Sequence, residues 1–159
     1  MCWRTCCAAF LFASATLPAQ SVAISTLSAP NGSAGTILLK LESPAGKVPA
    51  AIQWTFVFPA SITVTGADLF AGSAAESAEK TLACAPGSER QPGGETVYRC
   101  ILYGGRRVIL NGVLATVPYR ANRDASKASR LVKVQDVLAA DAEAKPLPIA
   151  NAQAEVAMK

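Results

Sequence analysis

Two apolar runs with the two-residue period of a β-strand, residues 98–103 and 113–121, flank a polar excursion that carries Gly104, Gly105 and the turn dipeptide Asn111-Gly112. A chain reads this way when two strands lie either side of a reversal, and that restricts the fold to one built on sheets. In the first run Tyr98, Cys100 and Leu102 share one face, and Arg99, Ile101 and Tyr103 the other; Arg99 marks the second face as the outer one. In the second run the inward set is Val113, Ala115, Val117 and Tyr119, with Leu114, Thr116, Pro118 and Arg120 opposite. Proline cannot donate to a strand ladder, so this strand is expected to lie near an edge, to bulge, or to pair on only one side at Pro118.

The same period recurs along the chain. Residues 21–28 read as a first strand ended by Pro30-Asn31-Gly32, and residues 35–42 as a second with Ile37, Leu39 and Leu41 on one face. Ile52, Trp54, Phe56 and Phe58 then alternate with Gln53, Thr55 and Val57, giving the largest apolar face and the expected centre of the core before Pro59 ends the strand. Residues 61–66 repeat the pattern with Ile62 and Val64. The alternation fails over residues 67–80, where Ser73 and Glu76 have capping-box spacing, so a short helix is expected there. Strands follow at 81–85 and 95–103, either side of a Pro/Gly loop at 86–94. After 113–121 and a polar loop at 122–129, a strand falls around Val132 and Val134, a turn at 141–148, and a closing strand at 153–158 with Ala154, Val156 and Met158 on one face. About nine short strands with one helical insertion predict an all-β, two-sheet antiparallel sandwich of jelly-roll type. The 159 residues, 51% hydrophobic and 16% charged, suffice for a single domain with a real core.

Residues 1–19 read as an export signal: Arg4 in the n-region, an apolar stretch at 6–17, and Leu17-Pro18-Ala19 as the cleavage end, with Ala13-Ser14-Ala15 a second possible site. The apolar stretch is shorter than the roughly 20 residues of a membrane span, and nothing later replaces it. Cleavage after Ala19 leaves one domain, residues 20–159, secreted to the periplasm or the extracellular space. Cys2, Cys6 and Cys7 leave with the leader, so Cys84 and Cys100 remain as a pair expected to be oxidised in that compartment. Of fifteen basic and eleven acidic side chains only Arg4 lies in the leader, so the mature charge is +3, a weak field that argues against nucleic acid as a partner.

The run from Asn111 to Tyr119, the strand at 131–137, and Ala139-Ala140-Asp141 before a closing strand together resemble the C-terminal half of bacterial cohesin-type domains. The turn Asn31-Gly32 and the strand holding Gln53-Trp54-Thr55-Phe56 are similar to that family's early strands. The resemblance spans residues 22–158. It implies a nine-stranded jelly-roll sandwich related in fold to a group of carbohydrate-binding modules, and a non-catalytic domain that binds a dockerin-like or surface protein in an extracellular, polysaccharide-degrading assembly.

The residues themselves offer no catalytic constellation. With no histidine in the chain, imidazole acid–base chemistry, serine triads and histidine metal sites are excluded. The carboxylates are spread over connectors and loops with no supporting motif for a glycosidase pair. Asp141-Ala142-Glu143 lacks the dense oxygen-ligand spacing of a calcium loop and reads as a solvated turn. No cofactor or metal is expected, and an enzyme is not. A binding module would use an outer sheet face, for which Gln53, Thr55, Arg99, Tyr103 and Thr116 are the candidates. The alternative is a carbohydrate-binding module recognising polysaccharide. It needs exposed aromatic rings, and Trp54, Phe56 and Phe58 fall on the expected core face, leaving Phe70, Tyr98, Tyr103 and Tyr119.

Overall fold

A computed structural model describes residues 20–28, 33–44, 46–87, 93–122 and 130–156. The leader, the Asn31-Gly32 turn, most of the 122–129 loop and Met158 lie outside the described residues. Strands β1 (Gln20–Ser28), β2 (Ala34–Glu42), β3 (Ala51–Phe58), β4 (Ile62–Thr63), β5 (Phe70–Ala71), β6 (Thr81–Pro86), β7 (Thr96–Tyr103), β8 (Gly112–Ala121), β9 (Leu131–Ala140), β10 (Pro146–Leu147), β11 (Ile149–Ala150) and β12 (Ala152–Glu155) form two sheets. One sheet has the order β11-β1-β2-β8, with β4 and β5 both on the far side of β8; the other has the order β10-β9-β3-β7-β6, with β12 also on β9. This is the two-sheet β-sandwich expected from the pattern. It has more strands than expected because β5, β10 and β11 are two residues each, too short to leave a periodic signal, while the strand expected over residues 61–66 is present only as the two residues of β4.

The core is the inner surface of both sheets. Ile37, Leu39 and Leu41 from β2 meet Ile52, Trp54, Phe56 and Phe58 from β3, and each of these is almost wholly out of water. Trp54 stands edge-on to Phe56 at 5.8 Å, Phe56 stacks on Phe58 at 5.1 Å, and Phe58 meets Tyr98 of β7 edge-on at 6.3 Å. Full burial of such side chains stabilises by roughly 1.5–3 kcal/mol each before the entropy of ordering them. In the opposite sheet, Gly35 lets Tyr119 fold over β2, because a Cβ there would run into the Tyr119 ring and the Leu27 carbonyl.

Four expectations are corrected. The pairing is not wholly antiparallel: β1 and β11 run parallel, Gln20 opposite Ile149 and Ser21 opposite Ala150, where the start of the chain and its last strands meet at one sheet edge. Leu114, not Val113, faces the core. Leu39 pairs with Ala115 and Lys40 with Val113, so Leu114 is an extra residue, and such an insertion reverses the faces on one side of it. Ser73 does not cap the helix α1 (Ser73–Ser77), whose N-cap is Gly72. The bonding expected of such a cap is found instead at Thr65 and Asp68, around the 3-10 turn Gly66–Asp68, where the Thr65 N–H and hydroxyl both donate to the Asp68 carboxylate and the Asp68 N–H donates to the Thr65 carbonyl. The closing strand stops at Glu155, with Val156 buried just beyond it.

Pro118 meets one of its expected solutions. It faces Thr36 of β2, while on its other side β5 pairs only as far as Thr116 and β4 only from Arg120. The missing N–H therefore falls in a gap between two short strands.

Cys84 and Cys100 are disulfide-bonded and stand directly opposite in the β6–β7 register, tying an edge strand to the sheet. Closing a loop of 16 residues restricts the unfolded chain by about 3 kcal/mol on loop-closure entropy. In protein beginning at Gln20, replacing both cysteines with alanine should lower unfolding stability in urea by about 2–4 kcal/mol. Thiol titration of the denatured, unreduced wild type should find no free thiol.

Candidate functional site

The outer face of the β9-β3-β7-β6 sheet is set by what lies beneath it. Because Ile52, Trp54 and Phe56 point into the core, Gln53 and Thr55 point outward, and register then fixes their neighbours. One row across the sheet is Leu138, Gln53, Ile101 and Ala83; the next is Gln135, Thr55, Arg99 and Ala85. Tyr103 extends the first row's apolar character towards one end, opposite Thr81. At the other end Lys133 and Val97 flank Val57, and Lys133 makes a half-exposed ion pair with Glu95 at 3.7 Å. Such a pair adds little stability.

Three large apolar side chains are exposed on this face: Leu138 at 63%, Tyr103 at 47% and Ile101 at 37%. Leu138 owes its position to a bulge. Val132 and Val134 point inward, Asp136 adopts φ 53°, and beyond it Val137 and Ala139 take over the inward positions. Gln53 faces Leu138 and Thr55 faces Gln135, so one residue more is used on β9 than on β3. Without the extra residue Leu138 would lie in the core. The sequence carries a trace of this, since strict alternation from Val132 and Val134 would put the charge of Asp136 inside.

Of the five candidates read from the sequence, the structure brings Gln53, Arg99 and Tyr103 together on this face. Thr55 shares the face in register but is buried at 5%, with its hydroxyl unpartnered, so it offers no surface to a partner. Thr116 stands apart from the other four, on the outer face of the opposite sheet, between Leu38 and Phe70. Alternation gives the face of a strand but not the sheet to which the strand belongs. Arg99 is exposed and makes no hydrogen bond or ion pair with another described residue.

The apolar end of the face is held by the segment that follows it. The Lys80 ammonium donates to the Gly104 carbonyl at 2.6 Å and the Gly105 carbonyl at 3.4 Å. Gly105 takes φ 57° where a Cβ would meet the carbonyl oxygens of Ala78 and Glu79. Arg107 donates to the Ser77 carbonyl at the end of α1, and Asn111 both accepts from the Ser43 N–H and donates to the Ser43 carbonyl. Tyr103 is thus backed by a loop tied to α1 and to the end of β2.

No catalytic arrangement emerges among the described residues. No group of three or more His, Cys, Asp or Glu side chains there is placed to hold a metal, and no helix is long and apolar enough to cross a membrane. Asp141 uses one carboxylate oxygen to accept from the N–H groups of Glu143 and Lys145, which makes it a turn-former.

No protein-family model matches the sequence, and none of the curated proteins is significantly similar to it. Solved structures do match. A non-cellulosomal cohesin from the hyperthermophilic archaeon Archaeoglobus fulgidus is 17% identical with a TM-score of 0.62, over 88% of this chain and 92% of its own. The cohesin of a type I cohesin–dockerin complex from Clostridium thermocellum is 16% identical with a TM-score of 0.62, over 91% of this chain and 97% of its own. A cohesin module from a Clostridium perfringens family 33 glycoside hydrolase is 11% identical with a TM-score of 0.61, over 87% and 95%. The chain has the fold of the cohesin modules.

Lys80 provides a test of the clasp behind Tyr103. Burial pushes its ammonium below the ordinary lysine value of 10.5, so the folded chain releases that proton at lower pH than the unfolded chain. Between the two values the unfolded state holds more protons, and stability rises with pH. Urea midpoints followed from about pH 8 to 11 should show wild type gaining on Lys80→Met as pH rises. A constant difference would show that burial does not shift this lysine.

Proposed function

We propose that the chain is an exported, non-catalytic docking module that seats a protein partner on the outer face of the β9-β3-β7-β6 sheet. The observation that carries this reading is the exposed row of Leu138, Gln53 and Ile101, with Tyr103 alongside, on strands whose backbone is already paired. A soluble domain gains nothing by keeping three large apolar groups together in water, and such a patch rimmed by polar groups marks an interaction surface. The cohesin fold supports the choice of a protein partner, since solved neighbours are seen in complex with dockerins. The leader pattern at 1–19 and the Cys84–Cys100 bond support export.

The face also suggests the partner's chemistry. Its apolar end offers Ile101, Leu138 and Tyr103, while its other end carries the uncommitted Arg99 on β7 and, across β3 in the next row, Lys133, whose charge is shared with Glu95. The matching surface is a dockerin-like one with an apolar stripe flanked by carboxylates, for which the basic end supplies steering and register.

In pull-downs against a dockerin panel and the native secretome, the wild-type chain from Gln20 should retain a specific protein. Ile101→Asp with Leu138→Asp should weaken that capture by about tenfold or more, the loss of buried apolar anchors, without lowering the melting temperature. Thr116→Asp, on the other sheet, should leave it unchanged. Retention of no protein, or capture indifferent to the double variant, would sink the reading.

A further inference from the structure

The gap beside Pro118 is also a cleft, of about 510 Å³, within the size range of small-molecule sites. It opens on the sheet opposite the proposed docking face, where β4 and β5 leave the middle of β8 unpaired. Its lining includes the polar groups of Thr63, Thr65, Asp68 and Arg120, together with Pro118, the largely buried Tyr119 and the short residues Ala34 and Gly35 of β2. Phe70, 52% exposed, stands at the end of the gap on the same outer face, opposite Thr116.

The bonding pattern of these groups is specific. Asp68 accepts from the Thr65 N–H at 2.8 Å and the Thr65 hydroxyl at 2.7 Å, both on Oδ2, which leaves Oδ1 without a partner among the described residues. The Thr65 hydroxyl and then its N–H hold the Asp68 carboxyl below the ordinary carboxylate value against the opposing effect of burial, with the Arg120 charge the least of the contributions, so it is ionised near neutral pH. Thr63 donates its hydroxyl to the Asn122 side chain at 2.6 Å. Both threonine hydroxyl protons are therefore spent, and their oxygens remain as acceptors. Arg120 is exposed and makes no direct hydrogen bond or ion pair with another described residue, although its charge is felt at Asp68.

We propose that this cleft binds a saccharide. A lone anion would gain Arg120 but meet the Asp68 carboxylate and two hydroxyl oxygens; a lone cation would find one carboxylate where hard cations need six or more oxygen ligands. A neutral polyol suits both charges, because each hydroxyl donates to the carboxylate or the threonine oxygens while accepting from the guanidinium. The Pro118 ring adds apolar surface for the C–H face of a sugar, and Phe70, outside the cleft's own lining, would be met by a saccharide that extends along the gap towards Thr116. The site is independent of the protein-docking face and stands or falls without it.

The test is a glycan panel probed with the chain from Gln20, followed by calorimetric titration of the retained soluble oligosaccharides, with glycine and inorganic phosphate as competitors. Arg120→Ala, which removes no bond within the protein, should weaken binding by about tenfold or more, as loss of charged hydrogen bonds does. Phe70→Ala should weaken it less, and the Ile101→Asp, Leu138→Asp variant should bind as wild type. The proposal is overturned by a panel on which no saccharide is retained, by Arg120→Ala binding with undiminished affinity, by loss of binding in the Ile101/Leu138 variant alone, or by displacement of the sugar by phosphate or glycine at lower concentration than by free sugar.

Discussion

The aromatic column on β3 is the constraint on which the rest of the sandwich depends. Trp54, Phe56 and Phe58 occupy alternate positions of a strand paired on both sides, so their burial fixes which way every neighbouring residue of β7 and β9 must face. Shifting either partner by one residue would expose a complete inner face, at several kcal/mol for each large side chain taken back into water. The outer face therefore inherits its register from the core. Gln53, Arg99 and Ile101 lie where they do because Trp54, Cys100 and Leu102 lie beneath them.

Where the register does slip, the slip has consequences at the surface. The β9 bulge at Asp136 keeps Val132 and Val134 in the core on one side and Val137 and Ala139 on the other, and it turns Leu138 outward beside Gln53. The β8 bulge at Leu114 does the same in the other sheet, moving Val113 to the face of Lys40. Val113 then lies against Gly72, where a Cβ would collide with the Val113 carbonyl and side chain, so the chain must pass close to β8 just before α1. A single inserted residue thus exposes an apolar group in one sheet and seats a connector in the other.

Much of this was legible in the sequence, and the limits of legibility are physical. Alternation identified the apolar faces of β2, β3 and β7, because each is long, turns one face to the core and contains no insertion. The Cys84–Cys100 bond followed from compartment and count, and Pro118 announced a one-sided pairing through its missing N–H. Alternation could not foresee β5, whose two residues span a single period and so cannot show a repeat, or the parallel contact of β1 with β11, which joins residues far apart in the chain. Nor could it place Thr116 and Arg99 on opposite sheets, since facing outward is a local property and sheet membership is not. Leu138 was hidden by the Asp136 bulge, and Asp136 itself was the one clue: a charge at an inward step of the pattern is better accommodated by an extra residue than by burial.

The two outer faces differ because their strands end differently. β3, β7 and β9 are paired along most of their length, so their shared face is continuous, and a continuous face carrying Leu138, Ile101 and Tyr103 suits a broad partner surface. β8 is paired on one side by fragments, and the interruption at Pro118 creates concavity, which a flat sheet lacks and which a small ligand requires. A residue whose backbone cannot donate a hydrogen bond thereby lines a cleft that also holds the hydrogen-bonding groups of Thr63, Thr65, Asp68 and Arg120. Since the flat face and the cleft belong to opposite sheets separated by the buried aromatic column, a protein seated on one leaves the other open to solvent. The thickness of the core therefore keeps the proposed docking face and the proposed saccharide cleft from competing for the same surface.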